Sequence, residues 1–113
     1  LKDLAFDEQG NPVILFVRAN GWEPGPENGP QTWHTLRWDE QLWQESKPIA
    51  TSDNNYDHGS LYIETDGTWR IIAPILRGPQ AYNPGGEMAM LVSRDKGKSW
   101  QQQALTQGSP FNH

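Results

Sequence analysis

Three stretches of the chain concentrate side chains that can move protons, carry charge or stack on a ring. In Tyr56-Asp57-His58-Gly59-Ser60 an imidazole that titrates near neutral pH stands between a carboxylate and a glycine, two residues from a phenol. His58 is the candidate general base or acid, with Tyr56 and Asp57 placed to orient it or to share the proton transfer. The plain alternative is a histidine that hydrogen-bonds a loop and packs beside Gly59. The second stretch, Arg77 to Glu87, holds a cation, two amides, an aromatic ring and a carboxylate. Arg77 can form a bidentate pair with a substrate carboxylate, Tyr82 can stack on a pyranose or deliver a proton, and Gln80 and Asn83 can bond hydroxyls. Glu87 can act as acid or base, position Arg77, or pair with it only to pin a glycine-rich loop. The third stretch, Arg18 to Gln31, offers Arg18 and the indole of Trp22 as a charged and a flat surface for a sugar. His34, just beyond, reads as structural, because strand alternation turns either it or Trp33 inward but not both.

The composition excludes several other chemistries. Nine Lys and Arg stand against fourteen Asp and Glu, with no basic stripe to neutralise a phosphate backbone, so nucleic acid is not an expected partner. The lack of cysteine removes disulfides, thiolate metal sites, cysteine nucleophiles and thiol redox chemistry. No apolar run is long enough to span a bilayer, and a chain that starts at Leu1 reads as mature, processed or cut from something longer. Asp53, Asn55, Asp57 and Glu64 fall at positions one, three, five and twelve of a calcium-loop pattern. His58 stands where that pattern needs glycine, and the flanks read as strand, so no metal is expected. There is no zinc pair, phosphate-binding glycine loop or nucleophile elbow, and no cofactor is expected.

The elements that must carry these residues are strands. Leu4 to Phe6, Val13 to Val17, Leu61 to Ile63, Ile71 to Ala73 and Met88 to Val92 are short apolar or β-branched runs bounded by Gly, Pro, Asn and Asp, and no segment has helical periodicity. The order of landmarks occurs twice. Leu4 to Leu15 aligns without a gap on Leu61 to Ile72, each a strand, a glycine turn and a strand. Each copy then has a Gly-Pro-Gln loop (Gly29-Pro30-Gln31 and Gly78-Pro79-Gln80), an aspartate ending a strand (Asp39, Asp95) and a tryptophan opening the last strand (Trp43, Trp100). The expectation is an all-β chain of two four-stranded antiparallel sheets, residues 1–52 and 53–113. A β-sandwich, with its evenly spaced short strands, is the competing architecture. Because successive strands alternate in direction, residues 18–31, 53–60 and 77–87 should gather at one end, and the closing turns at the other.

In the second copy Ser93-Arg94-Asp95-Lys96-Gly97-Lys98-Ser99-Trp100 resembles the Asp-box, Ser-x-Asp-x-Gly-x-Ser/Thr-Trp, at every defined position. Its physical logic is a hairpin turn: Asp95 accepts turn amides, Gly97 takes a positive φ, and Trp100 buries its ring, with Ser93 at the start. The first copy has a degenerate version, Arg37-Trp38-Asp39-Glu40-Gln41-Leu42-Trp43, which lacks the Ser and Gly and runs one residue shorter. On these residues the chain resembles the Asp-box (BNR-repeat, sialidase-like) β-propellers over nearly its whole length, each copy being one blade. Two blades do not close a ring, so the resemblance implies a piece of a larger propeller of six or seven blades, or self-association. Proteins of this kind include glycoside hydrolases, polysaccharide lyases and non-catalytic glycan-binding modules. The resemblance therefore implies glycosidic bond cleavage on an acidic glycan in a secreted or periplasmic setting, with a binding-only module as the alternative. The Arg-Ile-Pro signature of sialidases is absent. Lyases of this fold use His and Tyr as base and acid with an Arg neutralising the uronate, roles that Tyr56, His58, Arg77 and Tyr82 fit.

Overall fold

The computed structural model describes every residue of the chain except Pro24 and Asn55. The described residues form nine strands and no helix, arranged in two antiparallel sheets. Each sheet begins with a hairpin closed by local chemistry. Between β1 (Asp3–Phe6) and β2 (Pro12–Arg18) the Asp7 carboxylate accepts the amides of Gln9 and Asn11, and Gly10 takes φ 82°. Between β6 (Ser60–Ile63) and β7 (Trp69–Leu76) the Asp66 carboxylate caps the Thr68 amide and Gly67 takes φ 87°. The glycines aligned between the two copies thus hold equivalent turns.

The first sheet continues through β3 (Gln31–Trp38) to an outer strand that is split into β4 (Trp43–Glu45) and β5 (Ala50–Ser52), both paired to β3. Pro48 lies between the two pieces and has no amide to give the ladder, which explains the break. The pairing is still carried across it by the Ser46 amide on Thr35 oxygen and the Ile49 amide on Trp33 oxygen. The second sheet runs β6-β7-β8-β9, with β8 at Glu87–Ser93 and β9 at Gln101–Ala104. Its register shifts between Ala73 and Leu76, where Pro74 again withholds an amide.

The two sheets share one core. Burial alternates strictly along β8, and the inward residues Val13, Leu15 and Trp33 of the first sheet meet Leu61, Trp69, Ile71, Ala73, Ala89 and Leu91 of the second. Gly59 lets the chain enter β6 against that core, because a Cβ there would come within 2.7 Å of the Trp33 ring. The Leu61 amide donates to the Asp3 carboxylate at 2.7 Å, setting β1 beside β6. Trp33 is the inward residue of its pair. His34 faces the other way, stacks on Phe16 and bonds Thr32 Oγ1, a structural role. Neither sheet closes on itself, and both outward faces leave apolar side chains exposed, Leu4 and Phe6 on one, Tyr62 and Ile72 on the other.

The closing turns follow the aspartate logic with different completeness. In the second sheet Asp95 accepts the Ser99 amide at 2.9 Å and the hydroxyls of Ser93 and Ser99, while the Gly97 amide donates to Ser93 Oγ. These bonds, the Ser99 hydroxyl foremost, hold the Asp95 carboxyl down at about 2. Gly97 has φ 83°, and the Trp100 ring tilts over Trp69 at the edge of the core. In the first sheet Asp39 accepts the amides of Gln41 and Leu42 and the Gln44 carboxamide, which hold it at about 2 as well. There Glu40 takes the positive φ of 77°, and Trp43 packs on Trp38 and stays largely exposed.

Candidate functional site

At the end of the sheets opposite the closing turns, residues 77–86 fold over the segment leading into β6. The Asp53 carboxylate accepts the Tyr82 amide at 3.2 Å, the Asn54 carboxamide donates to the Tyr82 carbonyl, and Asp57 Oδ1 accepts the Gly85 amide at 2.8 Å. Short Asp and Asn side chains are suited to capping loop backbone in this way. The C-terminal segment lies along the other side of the same loop. The Asn112 side chain bonds the Gln80 amide and carbonyl, the Gln80 carboxamide oxygen accepts the Asn112 amide, and the His113 amide reaches Gly86.

Between the sheets at this end is a cleft of about 340 Å³. Pro30 and Thr51 to Asp53 line one wall, Pro74 to Arg77 with Ala81 and Tyr82 the other, so a partly apolar lining carries Asp53, Arg77 and Tyr82 beside the hydroxyls of Thr51 and Ser52. Arg77 is exposed and makes no hydrogen bond or ion pair with any described residue. His58 is also exposed and equally free among the described residues; it and Tyr56 lie further along the segment, outside the cleft wall. Tyr56 and Tyr82 are 49% and 45% exposed.

Asp57 behaves differently from the expected partner of His58. It is 1% exposed, its Oδ1 holds Gly85, and its Oδ2 lies within hydrogen-bond distance of no donor among the described residues, the Ser52 hydroxyl acting on the carboxyl only as a neighbouring dipole. Burial pushes its carboxyl up, against the pull of the Gly85 amide, the Ser52 hydroxyl and the Lys2 ammonium. Lys2 is lowered in turn by its own desolvation and held up by Asp57. Asp57 therefore anchors the loop and makes no bond to His58.

Other expected residues are also placed in new roles. Glu87 does not pair with Arg77. Its buried carboxylate accepts the Thr106 hydroxyl and both the amide and hydroxyl of Ser109, at 2.6 and 2.9 Å. Those donors, Thr106 first, hold it below the usual carboxylate range, so it tethers the C-terminal segment and is poorly suited to donate a proton. Gln80 is engaged with Asn112. Asn83 has its amide on Gln80 oxygen and its side chain exposed. Arg18 forms a two-point pair with Glu45 across the sheet and lies over the Phe16 ring. Trp22 is 79% exposed on its loop. Of the calcium-loop pattern, Asn55 lies outside the described residues, Asp53 and Asp57 are bonded to loop amides, and Glu64 pairs with Arg70 at 2.7 Å. The clamp residues Asp53 and Asn54 were not singled out as site residues from the sequence; their signal was two Asx residues just ahead of the His58 segment.

No family model matches the sequence, and no curated protein matches it. The chain is similar to a crystal structure of a protein of unknown function from Dyadobacter fermentans DSM 18053, with a TM-score of 0.63 and 18% identity. The match covers 95% of this chain and 28% of that one, so the chain spans little more than a quarter of the solved protein. At this identity the likeness is one of fold: two packed antiparallel sheets that recur inside a longer protein.

Proposed function

We propose that the chain is a pair of blades from an Asp-box, sialidase-like propeller and that it acts on an acidic glycan at the cleft end of its sheets. The observation that carries this reading is the rim itself. An exposed guanidinium with no partner among the described residues stands beside a partly apolar cleft, with two half-exposed tyrosines and an exposed imidazole on the segments that frame it. Arg77 would pair with a uronate or other sugar carboxylate and Tyr82 would stack on the ring. His58 would take the proton next to the carboxylate, a C=C bond would form as the bond to the leaving sugar oxygen breaks, and a tyrosine hydroxyl would give that oxygen its proton, the course of a β-elimination. The exposed apolar faces on both sides of the pair are surfaces that neighbouring blades would cover. A glycan substrate places the protein outside the cell or in the periplasm.

The test is a screen of acidic polysaccharides with the wild type and His58→Ala, recording both new reducing ends and the ultraviolet absorbance of unsaturated uronates. Reducing ends with absorbance, lost in the variant, are the expected result. Reducing ends without absorbance would mean hydrolysis, and wild-type activity in the variant would remove His58 from the chemistry. A second reading, a binding module without turnover, is favoured by Trp22, whose large exposed indole is a ready sugar platform. In that case no product forms, and Trp22→Ala weakens retention on an immobilised glycan.

A further inference from the structure

Tyr82 has φ 60°, a left-handed conformation that crowds the Cβ of any residue but glycine. The other described non-glycine residues with positive φ, Glu40 and Lys96, belong to the closing turns, whereas Tyr82 stands on the cleft wall. Such a conformation persists where its surroundings determine it, and here both sides of the Tyr82 backbone are held. Its amide donates to Asp53 Oδ2, and its carbonyl accepts from Asn54 Nδ2. Asn54 is 1% exposed, and its Oδ1 accepts the Tyr56 amide at 2.7 Å. One buried carboxamide therefore ties the backbones of both half-exposed tyrosines. Only one orientation of the amide serves, because a flip would set oxygen against the Tyr82 carbonyl and N–H against the Tyr56 N–H.

We propose that Asn54 is a positioning residue of the site: it fixes Tyr82 on the cleft wall and Tyr56 beside it, so that an incoming sugar ring meets an aromatic wall already in place. The sugar as ligand rests on the function proposed above; the positioning does not. Preorganisation of this kind removes an ordering cost that binding would otherwise carry. Aspartate, with the same shape, keeps an acceptor for Tyr56 but turns a carboxylate oxygen on the Tyr82 carbonyl, so Asn54→Asp breaks one half of the clamp.

The full chain has three tyrosines, so uniform 3-fluorotyrosine labelling yields three fluorine NMR signals, assignable by single Tyr→Phe changes. In Asn54→Asp the Tyr82 signal is expected to move and broaden, while Tyr56 and the remote Tyr62 keep theirs. Titration with tri-galacturonate should shift Tyr82 in the wild type and require about tenfold more sugar in the variant. If Asn54→Asp does not fold, Asn54→Ala, which takes away both the donor to the Tyr82 carbonyl and the acceptor for the Tyr56 amide, should move both signals. A folded Asn54→Asp, or Asn54→Ala in its place, with an unmoved Tyr82 signal overturns the proposal. A moved Tyr82 signal in the variant, with no response of the wild type to the trisaccharide, upholds the clamp and counts against the glycan function instead.

Discussion

The long loops of the two repeats occupy equivalent places and are held in opposite ways. Described residues of 19–30 are tied to one another: the Asn20 amide reaches Asn28 oxygen, the Asn28 amide reaches Gly25 oxygen, and the Asn28 side chain bonds Glu23 oxygen. Residues 77–86 are tied mainly to other segments, to Asp53, Asn54 and Asp57 on one side and to Asn112 and His113 on the other. A loop bonded to itself keeps its shape but can move as a unit, whereas a loop bonded to its neighbours has a fixed place in the tertiary structure. The cleft wall is built from the second kind. The first kind presents Trp22 to solvent and, among its described residues, contributes only Pro30 to the cleft.

The closing turns repeat the contrast at the other end, and they supply the largest expected effect. Gly97→Ala forces a Cβ into a left-handed turn and to within 2.8 Å of the buried Trp69 ring. Strain and overpacking together should cost about 3 kcal/mol. Glu40→Gly in the other turn removes a Cβ from the same region of φ at an exposed residue whose carboxylate makes one long bond, 3.5 Å from the Asn11 side chain, and should gain up to about 1 kcal/mol. Urea unfolding midpoints decide both. Equal effects of the same sign would mean that the two turns are alike despite their sequences.

The loop contrast sharpens in hydrogen exchange. Asn112→Ala removes side-chain bonds to Gln80 and Pro84 and should speed exchange across residues 80–86 about tenfold, leaving 19–30 untouched. Asn28→Ala should do the reverse. If Asn112→Ala loosens both loops equally, the second loop is not held where its bonds suggest.

What could be read in the sequence was what neighbouring residues decide. The Asp7 and Asp95 turns and the glycines at 10, 67 and 97 all act within a few residues of themselves. The doubling of landmarks then placed the strands of the two sheets. The roles that failed to show depend on distant partners. Glu87 is decided by Thr106 and Ser109, Arg18 by Glu45, and Asp57 by a loop amide at Gly85 and the core beneath it. Each was read as a ligand or catalytic group because a free charge in a loop looks the same before its partner is known. Pro48, like Asp53 and Asn54, was a local signal left unused, and it splits the outer strand of the first sheet.

The smallest expected effect compares the carboxylates at the two ends of the sheets. Asp39 and Asp95 are held at about 2, below the roughly 3.9 of an unfolded chain, so their contribution to stability is complete above about pH 4 and is lost as the pH falls towards 2. Asp57 is shifted the other way by burial, so its linkage has the opposite sign: what it contributes is complete at low pH and declines as the pH rises through its raised folded value. Asp57→Asn keeps an oxygen for the Gly85 amide and never ionises. It should melt about 2 °C above the wild type at pH 7 to 8, with the gap closing below about pH 4. Asp95→Asn should melt below the wild type at neutral pH and converge with it near pH 2. If Asp57→Asn instead melts lower at neutral pH, attraction to Lys2 outweighs burial, and the loop of the second repeat is anchored in part by an ion pair.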